Sequence, residues 1–226
     1  MIKYYIRMGI IYFILTSYIL VTNEINEPLY ALKNILIPYD YETNKIIFIN
    51  LIINYSFIII CIMNIIKNFS SLFEIKVFIV QRTTRKKAYL IFLKYIIKSM
   101  MILLIIKFFI DICLNRITSI IDLEILLKLY LLQFLTIFLW MFTIFILYLY
   151  DISEKKISFL MITFVFICQY LSFRLPMLNV VVIGSKDTLA NLGIVVTMKV
   201  IILSVVVFLS YLKFKKYELI GGIRND

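Results

Sequence analysis

Six apolar runs, each roughly 17–26 residues long, constrain this chain more than any other feature, because about 20 apolar residues in a helix cross the hydrocarbon core of a bilayer. They occupy approximately residues 4–22, 46–66, 95–114, 125–150, 157–173 and 194–212. Hydrophobic residues make up 63% of the 226 and charged residues 16%, against about 45–50% and about 25% in average soluble domains. Mean hydropathy is +1.02. The expected fold is all-α: a polytopic membrane protein with six transmembrane helices, forming one transmembrane domain over residues 1–226. No small-x-small cleavage site precedes Asn23, so the first run is expected to stay as a helix.

Orientation follows from charge. Lys67–Lys98 holds Lys67, Lys76, Arg82, Arg85, Lys86, Lys87, Lys94 and Lys98 against one acid, Glu74. Lys and Arg gather in short cytoplasmic loops, so residues 67–94 are expected inside the cell. Six spans then put both termini on that same face. Lys3 and Arg7, Lys155 and Lys156, and Lys213, Lys215, Lys216 and Arg224 join the basic interval there. Lys33, Lys45, Arg116, Lys128, Arg174 and Lys186 fall outside, while Lys107 and Lys199 lie within spans. Every cytoplasmic segment obeys the bias, and the expected location is a cell membrane. The formal net charge of +11 is met by anionic lipid headgroups, so no nucleic-acid partner is expected.

Several chemistries are excluded. Histidine is absent, which removes the commonest general base and His metal sites. Gly184-Ser185-Lys186 lacks the upstream glycine of a phosphate-binding loop. Cys61, Cys113 and Cys168 have no repeated spacing and read as small apolar residues in or beside spans. No catalytic, cofactor or metal site is expected in this chain.

Two connecting segments carry more information. Ser71-Leu72-Phe73-Glu74 matches a capping box, in which hydroxyl and carboxylate each satisfy a backbone donor. It predicts a short cytoplasmic helix from Ser71 to about Arg82, with Leu72, Phe73, Ile75, Ile79 and Val80 as its apolar face and Thr83-Thr84 as the break before the third span. The residues alone leave two readings open, a helix on the inner leaflet or one docking on a cytoplasmic protein. Between the fifth and sixth spans, Leu175–Ile183 is too short to cross, broken by Pro176 and closed by Gly184. It predicts a shallow re-entrant or interfacial segment on the outer side.

Within the spans, Lys107 and Asp111 sit one turn apart on one helix face. Lone intramembrane charges pair, snorkel or line water. A structural pair is the expectation, and Lys107, Asp111 and Lys199 are also the candidates for a substrate pathway. Gln133 and Gln169 read as hydrogen bonders between helices.

Six spans with cytoplasmic termini, a capped helix between the second and third, and a broken segment between the fifth and sixth together resemble the permease subunits of type-2 ATP-binding-cassette exporters. The basic turn Gln81-Arg82-Thr83-Thr84-Arg85-Lys86-Lys87 is similar to that of small bacterial permeases for bacteriocin immunity and antimicrobial-peptide export. The resemblance implies a chain that pairs with a second permease copy or paralogue and with cytoplasmic ATPase subunits that hydrolyse the ATP. It would export an amphipathic or hydrophobic substrate such as a peptide. Coupling to the ATPase would fall on Ser71, Leu72, Phe73, Glu74, Ile75, Ile79, Arg82 and Arg85. The amphipathic elbow helix that opens such permeases has no full counterpart in Met1–Arg7. Two other readings stay open: a stand-alone membrane immunity or interaction protein, and the substrate-binding subunit of an energy-coupling-factor importer.

Overall fold

The computed structural model describes residues 9–14, 16–18, 39–40, 45–46, 48–74, 84–114, 119–172, 174–182 and 191–216. Six α-helices organise them: α1 (Gly9–Tyr18), α2 (Phe48–Glu74), α3 (Arg85–Leu114), α4 (Ile120–Tyr148), α5 (Glu154–Ser172) and α6 (Leu192–Lys216). A 3-10 helix, Pro176–Val180, lies between α5 and α6. Before α2, β1 (Tyr39–Asp40) and β2 (Lys45–Ile46) form a minimal antiparallel ladder, Tyr39 opposite Ile46 and Asp40 opposite Lys45.

By length and composition α2, α4, α5 and α6 can each cross a membrane, which makes the coarse class a helical, multi-pass membrane protein. The 30 residues of α3 are long enough too, but Lys94, Lys98, Lys107 and Asp111 dilute its apolar content. The outward faces agree with a lipid surround. On α6 only Lys199, Ser210 and Phe214 are buried, while Ile194, Ile201, Val205 and Phe208 are exposed. A soluble monomer rarely leaves so much contiguous apolar surface uncovered.

The basic interval departs most from expectation. Helix α2 does not stop at Ile66 but continues to Glu74. The reason is packing: Ile62, Ile65, Ile66, Phe69 and Leu72 recur at helical spacing as one buried stripe. Ser71 therefore caps nothing. Its hydroxyl donates to the Lys67 carbonyl one turn back, 3.1 Å away, as serines within helices do. Downstream, α3 begins at Arg85, well before Tyr95. Thr84 stands at its start, with its carbonyl accepting from Ala88 N (2.8 Å) and its hydroxyl from Lys87 N (3.4 Å). Two long helix ends thus take up most of residues 67–94. Ile75, Ile79 and Arg82 lie outside the described residues.

An aromatic cluster joins four helices at this end. Phe69 stacks on Phe145 (5.0 Å between centroids) and Phe73 on Tyr148 (5.3 Å), with Phe73 edge-on to Phe92 (5.7 Å). From α6, Phe214 meets Tyr89, Phe92 and Phe145 at 5.4–5.8 Å. Polar tips are satisfied inside the cluster: Tyr148 Oη donates to the Ile66 carbonyl (3.0 Å), and the Tyr89 and Ser210 hydroxyls share a hydrogen bond (2.9 Å). Such ring pairs add to the area they bury.

At the opposite end, Ser119 caps α4. Its hydroxyl accepts from Asp122 N (3.2 Å) while the Asp122 carboxylate accepts from Ser119 N (3.0 Å), a reciprocal capping box. The turn from α4 to α5 closes through Asp151, in left-handed backbone conformation at φ 55°, where Asp is among the tolerated residues. Helix α5 then starts at Glu154, so Lys155 and Lys156 occupy its first turn.

Candidate functional site

Two buried polar clusters lie inside the bundle, and they differ in kind. The first gathers α1, α3 and α4 around Asp111. Its Oδ1 accepts from Tyr12 Oη at 2.8 Å, and its Oδ2 accepts from both Lys107 Nζ and Tyr130 Oη. Lys107 and Asp111 are 2% and 0% exposed. The ammonium is boxed by three rings, 4.9 Å from the Tyr12 centroid, 5.0 Å from Tyr130 and 5.2 Å from Phe57, a favourable placement for a desolvated cation. Gly9 brings α1 close: a Cβ there would stand 2.8 Å from Ile106 Cγ2. Pair, tyrosines and rings form a closed clamp, the structural pairing expected of an i, i+4 couple.

The second cluster is built on Lys199 of α6, 1% exposed. Its ammonium donates to Thr136 Oγ1 on α4 (2.7 Å), to the Val180 carbonyl (3.0 Å) and, at 3.5 Å, to the Val182 carbonyl. Trp140 Nε1 donates to the intervening Val181 carbonyl at 3.2 Å. Three successive carbonyls at and just past the end of the 3-10 helix are thereby satisfied by side chains of α4 and α6. Trp140 lies eight residues, about 12 Å, from the Tyr148 end of α4, so this backbone reaches well inside the bundle and not shallowly. Irregular backbone at such depth persists only where protein or water completes its hydrogen bonds, and here protein does. Among the described residues no carboxylate lies within ion-pair distance of Lys199; the ion pairs there are Lys107–Asp111 and the exposed Glu124–Lys128.

Beside Thr136 is a cavity of about 30 Å³, lined by Asn54, Phe57 and Ile58 of α2, Gln133, Thr136, Ile137 and Trp140 of α4, and Gln169 of α5. Gln133 is 3% exposed, and neither its Nε2 nor its Oε1 has a hydrogen-bond partner among the described residues. The expected role of Gln133 as an interhelical hydrogen bonder is therefore not what the structure holds: its amide ends in the cavity wall without reaching a neighbour.

Other expectations sort cleanly. Lys107 and Asp111 come together and Lys199 stands apart from them, in the second cluster. Leu72 is buried and Phe73 half-buried in the chain's own aromatic cluster, so this pair does not form an apolar face on a separate helix. Cys61, Cys113 and Cys168 are free thiols; the first two differ in setting, Cys61 being buried and Cys113 exposed, and Cys168 is buried. Among the described residues no group of His, Cys, Asp or Glu could hold a metal.

Sequence reasoning missed the asparagines of α2. Asn50, Asn54, Asn64 and Asn68 are all buried, and Asn64 and Asn68 both donate to Ser99 Oγ on α3, at 3.3 and 2.6 Å. Their i, i+4 pairs, two full heptads apart, were the available signal, since that spacing returns to the same helix face. No protein-family model, curated protein or solved structure matches this chain.

Proposed function

We propose that the chain is a six-span permease subunit of a type-2 ATP-binding-cassette exporter in a bacterial cell membrane. Both termini are cytoplasmic, a second permease copy or paralogue completes the translocation unit, and separate cytoplasmic subunits hydrolyse ATP. The cargo is amphipathic or hydrophobic, such as a peptide. In this reading α1 and α3 join the four apolar helices as spans, and the Lys107–Asp111 clamp neutralises the charges that α3 carries into the membrane. The chain breaks no bond of its cargo.

One observation carries the coupling part. The segment between α2 and α3 is anchored on both sides in the aromatic cluster, through Phe69, Leu72 and Phe73 before it and Tyr89 and Phe92 after it. That cluster also holds the ends of α4 and α6. A force delivered to the facing ends of α2 and α3 therefore reaches four helices through that cluster. The docking surface is then the start of α3 with exposed Lys86 and Lys87, and Leu72 and Phe73 transmit instead of dock. The cavity of about 30 Å³ is far below the 300–1,000 Å³ or so of small-molecule sites, which favours a path between two copies over one through a single chain.

The test is recovery of a tagged chain from its native membrane in mild detergent, followed by identification of what accompanies it. An ATP-binding-cassette ATPase in near-stoichiometric amount, lost in a Lys86→Glu/Lys87→Glu variant of normal abundance, supports the proposal. An intact, folded chain recovered without any ATPase refutes it. Single cysteines placed at Lys86, Lys155, Asn115 and Lys186 check the topology separately: the first two resist a membrane-impermeant maleimide on intact cells and the last two react.

A further inference from the structure

We propose that the outward face of α3 binds an anionic phospholipid of the leaflet at its basic end, with the phosphate held by Lys94 and Lys98 and the acyl chains lying on Ile102 and Ile105. The inference rests on α3 crossing the bilayer and not on the ATPase reading.

The face is defined by spacing. Lys87, Ile91, Lys94, Lys98, Ile102 and Ile105 follow one another in steps of three or four residues, which keeps them on one side of the helix. All of them are exposed. The opposite side carries buried Phe92, Ile96, Ser99, Met100 and Leu103, so α3 cannot turn its lysines inward. Lysines dominate the outward face as far as Lys98, and beyond it the face is apolar. That change has a fixed depth. Ser99 Oγ accepts from Asn64 and Asn68 of α2, and the Ile66 carbonyl between those asparagines accepts from Tyr148 at the end of α4. Lys98 is therefore level with the last turn of α4, and Lys94 lies about 6 Å further into the basic end. Ile102 and Ile105 lie about 6 and 10 Å the other way, toward the middle of the bundle. A phospholipid has the same order, phosphate first and hydrocarbon deeper, so one molecule meets both halves of the face.

Charge selects this occupant. Neither Lys94 nor Lys98 forms an ion pair among the described residues. A second copy of the chain would bring mostly cations to this level, since among the described residues Lys67, Lys155, Lys156 and the Lys213–Lys216 end of α6 stand against Glu74, Asp151 and Glu154. An anionic headgroup supplies negative charge without that repulsion. Two ammonium groups one helical turn apart are neighbours on the surface and can share one phosphate. A zwitterionic headgroup brings its own cation and gains less.

The experiment uses the full chain in phosphatidylcholine vesicles, with a tryptophan reporter placed beneath the lysines by Ile102→Trp or, in a second protein, by Ile105→Trp. Buried Trp140 supplies a background measured in the parent chain. Each protein is quenched with a minor fraction of dibrominated phosphatidylglycerol or of dibrominated phosphatidylcholine. Phosphatidylglycerol should bind beside the reporter more tightly by about fivefold or more, the contribution of a single cation near an anionic headgroup. Lys94→Gln/Lys98→Gln should bring the two lipids to equal quenching. Lys155→Gln/Lys156→Gln, which removes the same charge elsewhere on the basic end, should leave the preference in place. Equal quenching by both lipids with all lysines present, or a preference that survives Lys94→Gln/Lys98→Gln, would overturn the site. So would an equal fall in Lys155→Gln/Lys156→Gln, which would reduce the preference to general surface charge. No quenching of either reporter by either lipid would place protein over this face and overturn it too. Cysteine labelling at Lys86 and Asn115 reads separately whether α3 crosses the membrane.

Discussion

Removing the Asp111 carboxylate should cost more than removing its lysine partner, and the difference can be worked from the clamp. In Asp111→Leu three donors lose their acceptor at once: the Lys107 ammonium and the Tyr12 and Tyr130 hydroxyls. Stranding one member of a buried ion pair costs about 3–5 kcal/mol, and each unpaired buried hydroxyl about 1–3 kcal/mol. Partial relaxation, with the lysine snorkelling along α3, keeps the expected total near the lower end of that sum, roughly 5 kcal/mol. In Lys107→Met the carboxylate still holds both tyrosine hydroxyls, so the loss should be about half as large. The double variant Lys107→Met/Asp111→Leu leaves only two hydroxyls unsatisfied, at about 2 kcal/mol together. It should be more stable than Asp111→Leu alone. Reversible unfolding of the four proteins in detergent measures the cycle. A loss below about 1 kcal/mol for Asp111→Leu, close to the ~0.6 kcal/mol average for hydrogen bonds between membrane helices, would refute the closed clamp. So would strict additivity in the double variant.

Three further outcomes are expected. Gly9→Ala should loosen α1 by about 1–3 kcal/mol through overpacking, because its new methyl would meet Ile106 Cγ2 at 2.8 Å; adding Ile106→Ala should recover part of the loss in the same unfolding assay. Ser119→Ala should lower stability by about 0.5–2 kcal/mol through its lost cap, whereas Ser71→Ala should change it little, since that hydroxyl only back-bonds to Lys67; equal losses at the two serines would refute the assignment of caps. Phe73→Ala should destabilise the chain by about 2–3 kcal/mol, below the range for fully buried aromatics because Phe73 is half-buried; normal unfolding of this variant with loss of ATPase alone would put Phe73 back on a docking face.

The two serines show what could be read from sequence and what could not. Ser71-x-x-Glu74 and Ser119-x-x-Asp122 carry the same local signal, but only the second is a helix start. The motif states that two backbone donors can be satisfied by side chains. It does not state that the chain stops being helical before them. At Ser71 the apolar stripe of α2 runs on through Phe69 and Leu72, and burial of that stripe outweighs any local cap. At Ser119 the reciprocal cap is formed and α4 starts at the next residue. The helical membrane class and the approximate places of α4, α5 and α6 were legible because apolar length and flanking charge fix them one segment at a time. Even so, α4 starts at Ile120, not near residue 125, and α6 runs on to Lys216, past the expected 212. Where a helix outlasts its membrane-length run, the added turns are held by partners distant in sequence, such as Phe92 and Tyr148 around Phe73.

The buried polar groups follow the same division. Lys107 and Asp111 were predictable as a pair because one helix face brings them together without help from the rest of the fold. Nothing local pointed to Tyr12 and Tyr130 as the groups completing Asp111, since they come from two other helices. Lys199 is the sharper case. Its nearest apparent need was an acid, and sequence offered none in reach; the structure answers with three oxygens, two of them backbone carbonyls at and just past the end of the 3-10 helix. Inside a helix each carbonyl is already bonded four residues on, whereas those at and past its end are free to accept. The break in helix between α5 and α6 and the cation in α6 therefore depend on each other. Displacing residues 180–182 would leave Lys199 with Thr136 alone, and replacing Lys199 would leave the Val180 carbonyl without its donor. That mutual dependence is what turns an apolar piece too short to span into a fixed part of the bundle.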